Sequence, residues 1–370
     1  MASIDYIIKI ILYFLIVWFA FGLSSRLYKQ TGKVLSVISL LLISLLLSWY
    51  SVISLPEIYN SSGDRSLYCF LYQYDIDIVN RSRGLAVVFD FLRPISKSRN
   101  FLFFTTALFF IFITLLSYKR CRQSTPQALL LLVVSIYFIY GYALLKQNMA
   151  NAFSCAAFVC FFNLNDEKRT RKAGLLLFVL LFVALSIVFH ESAYLLLLVF
   201  PVLVMWNNRY VRGIGSVLII SLIVAFPFIN ASLLTYVMDT SEELESQVSD
   251  YVSTGLSSNI LTIVKGLPFY IITIAGFVYR KRYVRDINNY DRYLFLSIVL
   301  SATSLLSVVN YWYFRFGMLL YLPVFVFAGQ LYNELKKNNK KAVWYTVTCL
   351  VLIGLSVKSL VQYYFGHGGI

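Results

Sequence analysis

Three short clusters carry the side chains able to do chemistry. His190-Glu191-Ser192 closes a long apolar run. A histidine there titrates near neutral pH and can take a proton from an acceptor hydroxyl, with Glu191 orienting it or serving in its place. The alternative is a histidine bonded to a loop carbonyl that anchors a turn. Lys146-Gln147-Asn148, with Ala150 and Asn151, follows another apolar run. It either opens a helix whose free N–H groups favour a phosphate or is an ordinary helix start. Arg315 ends Asn310-Tyr311-Trp312-Tyr313-Phe314-Arg315. Its guanidinium can grip a diphosphate bidentately, or snorkel out of an aromatic belt. Asp75-Ile76-Asp77 has the carboxylate spacing that holds a divalent ion on a diphosphate, but also reads as a solvated surface. Asp64-Arg65 and the pair Arg81 and Arg83 read equally as surface ion pairs.

The composition narrows the chemistry. Only two histidines occur, His190 and His367, so a His-rich catalytic metal site is not expected. Cysteine is odd in number at five, without a C-x-x-C, which supports neither a disulfide framework nor a zinc knuckle. No metal and no cofactor are expected. Charged residues make up 13% of the 370, where a soluble domain carries about 25%.

These clusters must be positioned by elements built for lipid. A spanning helix needs about 20 apolar residues. Twelve candidate spans are read at 4–23, 34–54, 101–118, 127–145, 147–162, 173–189, 192–206, 213–236, 260–279, 293–309, 316–332 and 342–361. The fifth and seventh are short, in the manner of tilted or re-entrant elements. Runs such as Leu40-Leu41-Leu42-Ile43 do not alternate, which favours helices over barrel strands. The expected fold is therefore all-α: one polytopic membrane bundle over 1–370. Only Lys9 gives the first span a basic flank, so it reads as a retained helix rather than a signal peptide.

Orientation follows from Lys and Arg. Every connection after an odd-numbered span is basic, for example Lys119, Arg120 and Arg122, or Arg280, Lys281, Arg282, Arg285 and Arg292. Positive residues stay in the cytoplasm, so both termini are expected outside. The net charge of +15 then reports topology rather than a nucleic-acid partner. Two outer loops are long. Residues 55–100 mix aromatics with charges and contain the apolar stretch 85–92, as interfacial helices would. Residues 238–259 are acidic.

Taken together, the chain resembles the EpsG-type family of bacterial polysaccharide polymerases, relatives of the Wzy O-antigen polymerases. The likeness lies in Gly63-Asp64 with Tyr68 and Tyr72, the apolar Gly84-to-Leu92 stretch, Lys146-Gln147 with Ala150, His190-Glu191-Ser192-Ala193 and the aromatic element ending at Arg315. The family usually carries Arg where Lys146 stands, and Lys keeps the charge without the planar fork. The resemblance implies a glycosyltransferase of the cytoplasmic (inner) membrane with its site facing outside. It would join oligosaccharide repeat units carried on undecaprenyl diphosphate into O-antigen, capsule or exopolysaccharide. In that reading His190, Glu191 and Asp64 do the acid–base work. Arg315, Lys146, Arg65, Arg81, Arg83 and Arg93 are candidates for the diphosphate, and Tyr68, Tyr72, Gln147 and Trp312 for sugars. Expected partners are the lipid-linked oligosaccharide, membrane lipid and a chain-length regulator. The competing readings are a flippase for the same lipid-linked units, and a metal-dependent lipid-linked glycosyltransferase using Asp75 and Asp77.

Overall fold

In lipid a segment must satisfy its own backbone polar groups, and the apolar runs do so as helices. The computed structural model describes residues 7–9, 11–16, 18–19, 22, 33–54, 63–76, 82–121, 125–134, 145–164, 169–208, 210, 212–219, 221, 257–283, 289–307, 312–336 and 342–365. Among these, every regular element is helical: α1 (Lys33–Ser54), α2 (Gly63–Gln73), α3 (Arg83–Leu92), α4 (Arg99–Arg120), α5 (Thr125–Val134), α6 (Leu145–Phe162), α7 (Arg169–Phe189), a 3₁₀ turn (Glu191–Tyr194), α8 (Leu195–Val204), α9 (Ser257–Tyr283), α10 (Tyr290–Leu306), α11 (Trp312–Lys336) and α12 (Val343–Phe365). Stretches Arg99–Arg120, Lys172–Phe189 and Arg315–Lys336 are long and apolar enough to cross a membrane. The protein is thus an all-α membrane protein. The acidic loop 238–256 and the C-terminal His367 lie outside the described residues.

The bundle is organised around α6, which packs on α4, α7 and α11. The sequence marks this segment as a weak span. The structure explains why: every residue of α6 except the half-buried Lys146 is buried. Its Ala150, Ala152, Ala156, Ala157 and Ser154 let neighbouring helices approach closely, as small residues do in membranes. The lipid-facing role falls to α7, which leaves Leu177, Leu180, Leu181 and Val188 exposed.

A helical proline is compensated at this centre. Pro323 lies inside α11 and has no N–H to offer the carbonyl four residues back. That carbonyl belongs to Leu319, and Ser154 Oγ on α6 donates to it at 3.0 Å. The Tyr118 hydroxyl of α4 donates to the adjacent bundle carbonyl, Leu322 O, at 3.2 Å.

The described parts of the connection 55–100, residues 63–76 and 82–100, form a small core with the start of α4. α2 and α3 turn Tyr68, Leu71, Tyr72, Leu85, Phe89 and Leu92 against Leu102, Phe103 and Leu145. α3 then docks on the end of α7. Ser82 caps α3, accepting from Leu85 N–H at 3.3 Å and donating to Phe189 O at 3.3 Å. Gly84 is needed there, because a Cβ would sit 2.9 Å from the Phe189 ring.

Candidate functional site

Three helix ends meet one residue beyond Phe189. α7 stops at Phe189, and His190 adopts an extended backbone (φ −151°, ψ 130°) that starts the 3₁₀ turn. Its Nδ1 accepts the Ser192 N–H at 3.1 Å. Ser192 in turn meets Gln147: Gln147 Nε2 donates to Ser192 Oγ at 3.3 Å and to Asn151 Oδ1 at 3.1 Å. Ser186 Oγ ties α7 to α6 as well, donating to Ala150 O at 2.8 Å. The first turn of α6 therefore faces the 3₁₀ turn, and α11, which carries Arg315 near its start, packs on both.

His190 is 3% exposed. Burial, reinforced by the positive charges of Lys146 and Arg315, pulls its pKa from 6.5 down to about 3. All three residues thus share one electrostatic neighbourhood. Neutral imidazole has one donor and one acceptor nitrogen. With the Nδ1 lone pair facing the Ser192 N–H, the proton resides on Nε2. The arrangement offers a fixed neutral N–H donor beside two cations, instead of the free lone pair that a base would need. Glu191, next in the chain, is exposed.

Asn148, on the same turn of α6, is 7% exposed, and its amide makes no hydrogen bond among the described residues. Its amide is not among the fully buried polar atoms that lack a partner, so its donor and its acceptor keep access and remain for a ligand. The sequence places Asn148 in a polar cluster but gives no sign that Gln147 and Asn151 pair with each other while Asn148 does not. Ser82 carries a signal that the sequence reading passed over: it is a small polar residue immediately before a helix, the usual place for an N-cap.

The structure sets several expected ligands apart from this junction. Arg93 is fully engaged. Its Nε donates to Tyr72 O (3.3 Å), and its Nη2 donates to Leu71 O (2.9 Å) and Ile76 O (3.0 Å). Nη1 faces Asp75 (3.0 Å) and Asp90 (3.5 Å). No guanidinium donor is left for a diphosphate; Arg93 closes the carbonyl end of α2 instead. Tyr72 is buried, its ring edge-on to Phe89 at 5.0 Å and its hydroxyl donating to Ser96 O. Tyr68 is buried in the same cluster. Neither ring face is open to a sugar, because the loop uses its aromatics for its own core. Asp75 has a left-handed φ of 62° in the position after α2 where helices commonly end. There the Ile76 N–H returns to Leu71 O at 3.0 Å, and the Asp75 carboxylate pairs with Arg93 and Lys97. Its role is thus to terminate a helix.

Arg83 is exposed at the start of α3. Asp64 and Arg65 lie on α2 and Trp312 opens α11, with their side chains outside the described residues; Arg81 and Asp77 are outside altogether. No group of three or more His, Cys, Asp or Glu that could hold a metal occurs among the described residues. A cavity of about 440 Å³ lies away from this junction, beside the basic connections, lined by Trp206, Asn207, Asn289 and Arg292 among others. Its Arg280 is bound bidentately by Asp291, at 2.8 Å on each arm. It contains none of the residues gathered around His190.

The EpsG family model matches residues 56–367. The chain belongs to the EpsG family. No curated protein and no solved structure matches it. As an EpsG protein it is a polysaccharide-polymerase-like membrane protein, of a family associated with glycosyl transfer in polysaccharide biosynthesis.

Proposed function

We propose that this EpsG protein polymerises oligosaccharide repeat units carried on undecaprenyl diphosphate, with its site on the outer face of the bacterial cytoplasmic membrane. The observation that carries this reading is the convergence of Lys146 and Arg315 on a buried, neutral His190 at the meeting point of three helix ends. Two cations and a fixed N–H donor suit a leaving group that gains negative charge.

In the reaction, the bond between the anomeric carbon and the diphosphate oxygen breaks as a bond to an acceptor hydroxyl forms. The diphosphate departs as an anion. Donors fixed where charge develops lower that barrier, and Lys146, Arg315 and the His190 Nε2–H fill this role. The hydroxyl proton passes to a carboxylate: Glu191, exposed beside His190, is the proposed acceptor, with Asp64 as the alternative. Asn148 and the Gln147–Asn151 pair face the sugar. The anomeric diphosphate is already activated, so neither nucleotide nor metal is required. The outward orientation rests on the basic connections and the positive-inside rule.

The test is a strain lacking the protein. Single repeat units should accumulate on the lipid carrier at the outer face, and the wild-type chain should restore long glycan. Loss of outer-face units would instead identify a flippase and refute the reading. Cysteine accessibility should find Lys337→Cys cytoplasmic and Glu245→Cys external; the reverse labelling would overturn the orientation.

A further inference from the structure

α3 is apolar around most of its circumference, although it lies in a connecting segment. Gly84, Leu85, Ala86, Phe89 and Leu92 are buried. On the other side Val87 is 68% exposed and Phe91, one turn later, 72%, and Ile95 continues the line at 63%. The charged residues Arg83 and Asp90 form a separate narrow edge. At 100° per residue the centres of the two exposed edges are about 70° apart. α2 and the turn after it also expose aromatics, Phe70 on the helix and Tyr74 just past its end, with their rings 4.7 Å apart. A helix facing only water would carry polar residues at these sites.

The position of α3 supplies the occupant. Ser82 bonds Phe189 O, and Gly84 lies against the Phe189 ring. Phe189 ends the span Lys172–Phe189, whose Leu177, Leu180, Leu181 and neighbouring Val188 are exposed apolar side chains. Lipid must cover that face of α7, and α3 is fastened where it ends. The exposed apolar side chains Val87 and Phe91 therefore belong to a helix anchored at the end of a lipid-facing span.

We propose that α2 and α3 are half-immersed in the lipid leaflet nearest His190. Val87, Phe91, Phe70 and Tyr74 lie among acyl chains, and Arg83 and Asp90 lie at the water boundary. Helices with an apolar side and a charged edge adopt this position in the interfacial plane. The arrangement holds α2 and α3 level with lipid headgroups and fixes α3 to the turn that carries His190.

The experiment uses the full chain in phosphatidylethanolamine–phosphatidylglycerol vesicles containing a lipid with a nitroxide quencher high on its acyl chain. Single cysteines at Phe91→Cys and Val87→Cys are labelled with an environment-sensitive dye and compared with Asp90→Cys and Lys97→Cys. The buried native thiols are shielded, and Cys121→Ser removes the half-buried one. Fluorescence at 87 and 91 should fall about twofold with the quencher-bearing lipid, and at 90 and 97 far less. Equal response at all four positions would overturn the proposal. So would oxidative cross-linking of two copies through position 91 without lipid quenching, which would assign the face to a second chain.

Discussion

If His190 is held neutral with its proton on Nε2, it must resist acid. The imidazole moves from a pKa of 6.5 to about 3 on folding, and each unit corresponds to about 1.4 kcal/mol. The unfolded chain takes up a proton at 6.5 that the folded chain refuses until about 3. Stability is therefore whole above pH 6.5 and declines as pH falls, levelling off near pH 3 after a loss of about 5 kcal/mol. Between pH 7 and pH 5 this one residue should cost about 2 kcal/mol. Denaturant unfolding in detergent micelles measures it, comparing wild type with His190→Gln, which cannot titrate. The wild-type dependence should be steeper by that amount. Histidine-selective ¹⁵N labelling reads the state directly, because the chain has only two histidines. One ring should stay neutral and Nε2-protonated well below pH 6. His190→Gln, whose amide can reproduce the Nε2–H, should retain more polymerisation than His190→Ala. A ring that titrates between pH 6 and 7, or that carries its proton on Nδ1, would refute the donor assignment and restore the general base. Equal activity of the Gln and Ala variants would also remove the donor role.

The remaining predictions concern neighbouring contacts. Arg315→Ala should raise the His190 pKa, since one of the two depressing charges is gone; Arg315→Lys should leave it low yet still impair glycan assembly, which separates charge from bidentate geometry. Asn148→Leu should change stability little, because the amide makes no hydrogen bond among the described residues, while polymer formation falls at least about tenfold through a lost bond to substrate. Ser154→Ala should lower stability by about 1–3 kcal/mol, because Leu319 O then has no donor, and turnover per folded molecule should be unchanged. Gly84→Ala should cost about 1–3 kcal/mol through overpacking against Phe189 and loosen α3, read as faster amide hydrogen exchange across residues 83–92.

Membrane character was legible because lipid imposes it: runs of the required length can satisfy their backbones only as helices. The candidate clusters were legible for a related reason, since each ends or begins such a run and charge there is conspicuous. What the sequence concealed depends on packing. The tautomer of His190 turns on whether Ser192 directs its N–H back across two residues, which a chain of letters does not state. Arg93 and Tyr72 have side chains that commonly bind diphosphates and sugars. In the structure they meet backbone carbonyls at the end of α2, a serine carbonyl and a phenylalanine edge, brought together only when the connection forms its own core. In the sequence α6 was one of two short spans, rich in polar and small residues. Those residues are suited to a position that lipid does not touch.

That burial has a consequence for biogenesis. With Lys146, Gln147, Asn148 and Asn151 in its first two turns and Ser154 near its middle, α6 has too short an apolar stretch to partition readily into the bilayer by itself, since a span needs about 20 apolar residues. α7, strongly apolar and tied to α6 by Ser186, can carry it in as the second arm of a hairpin. The two helices that bring Lys146 and His190 together would then leave the translocon as one unit, so a chain that fails to pair them would be exposed to degradation before α11 and Arg315 were synthesised.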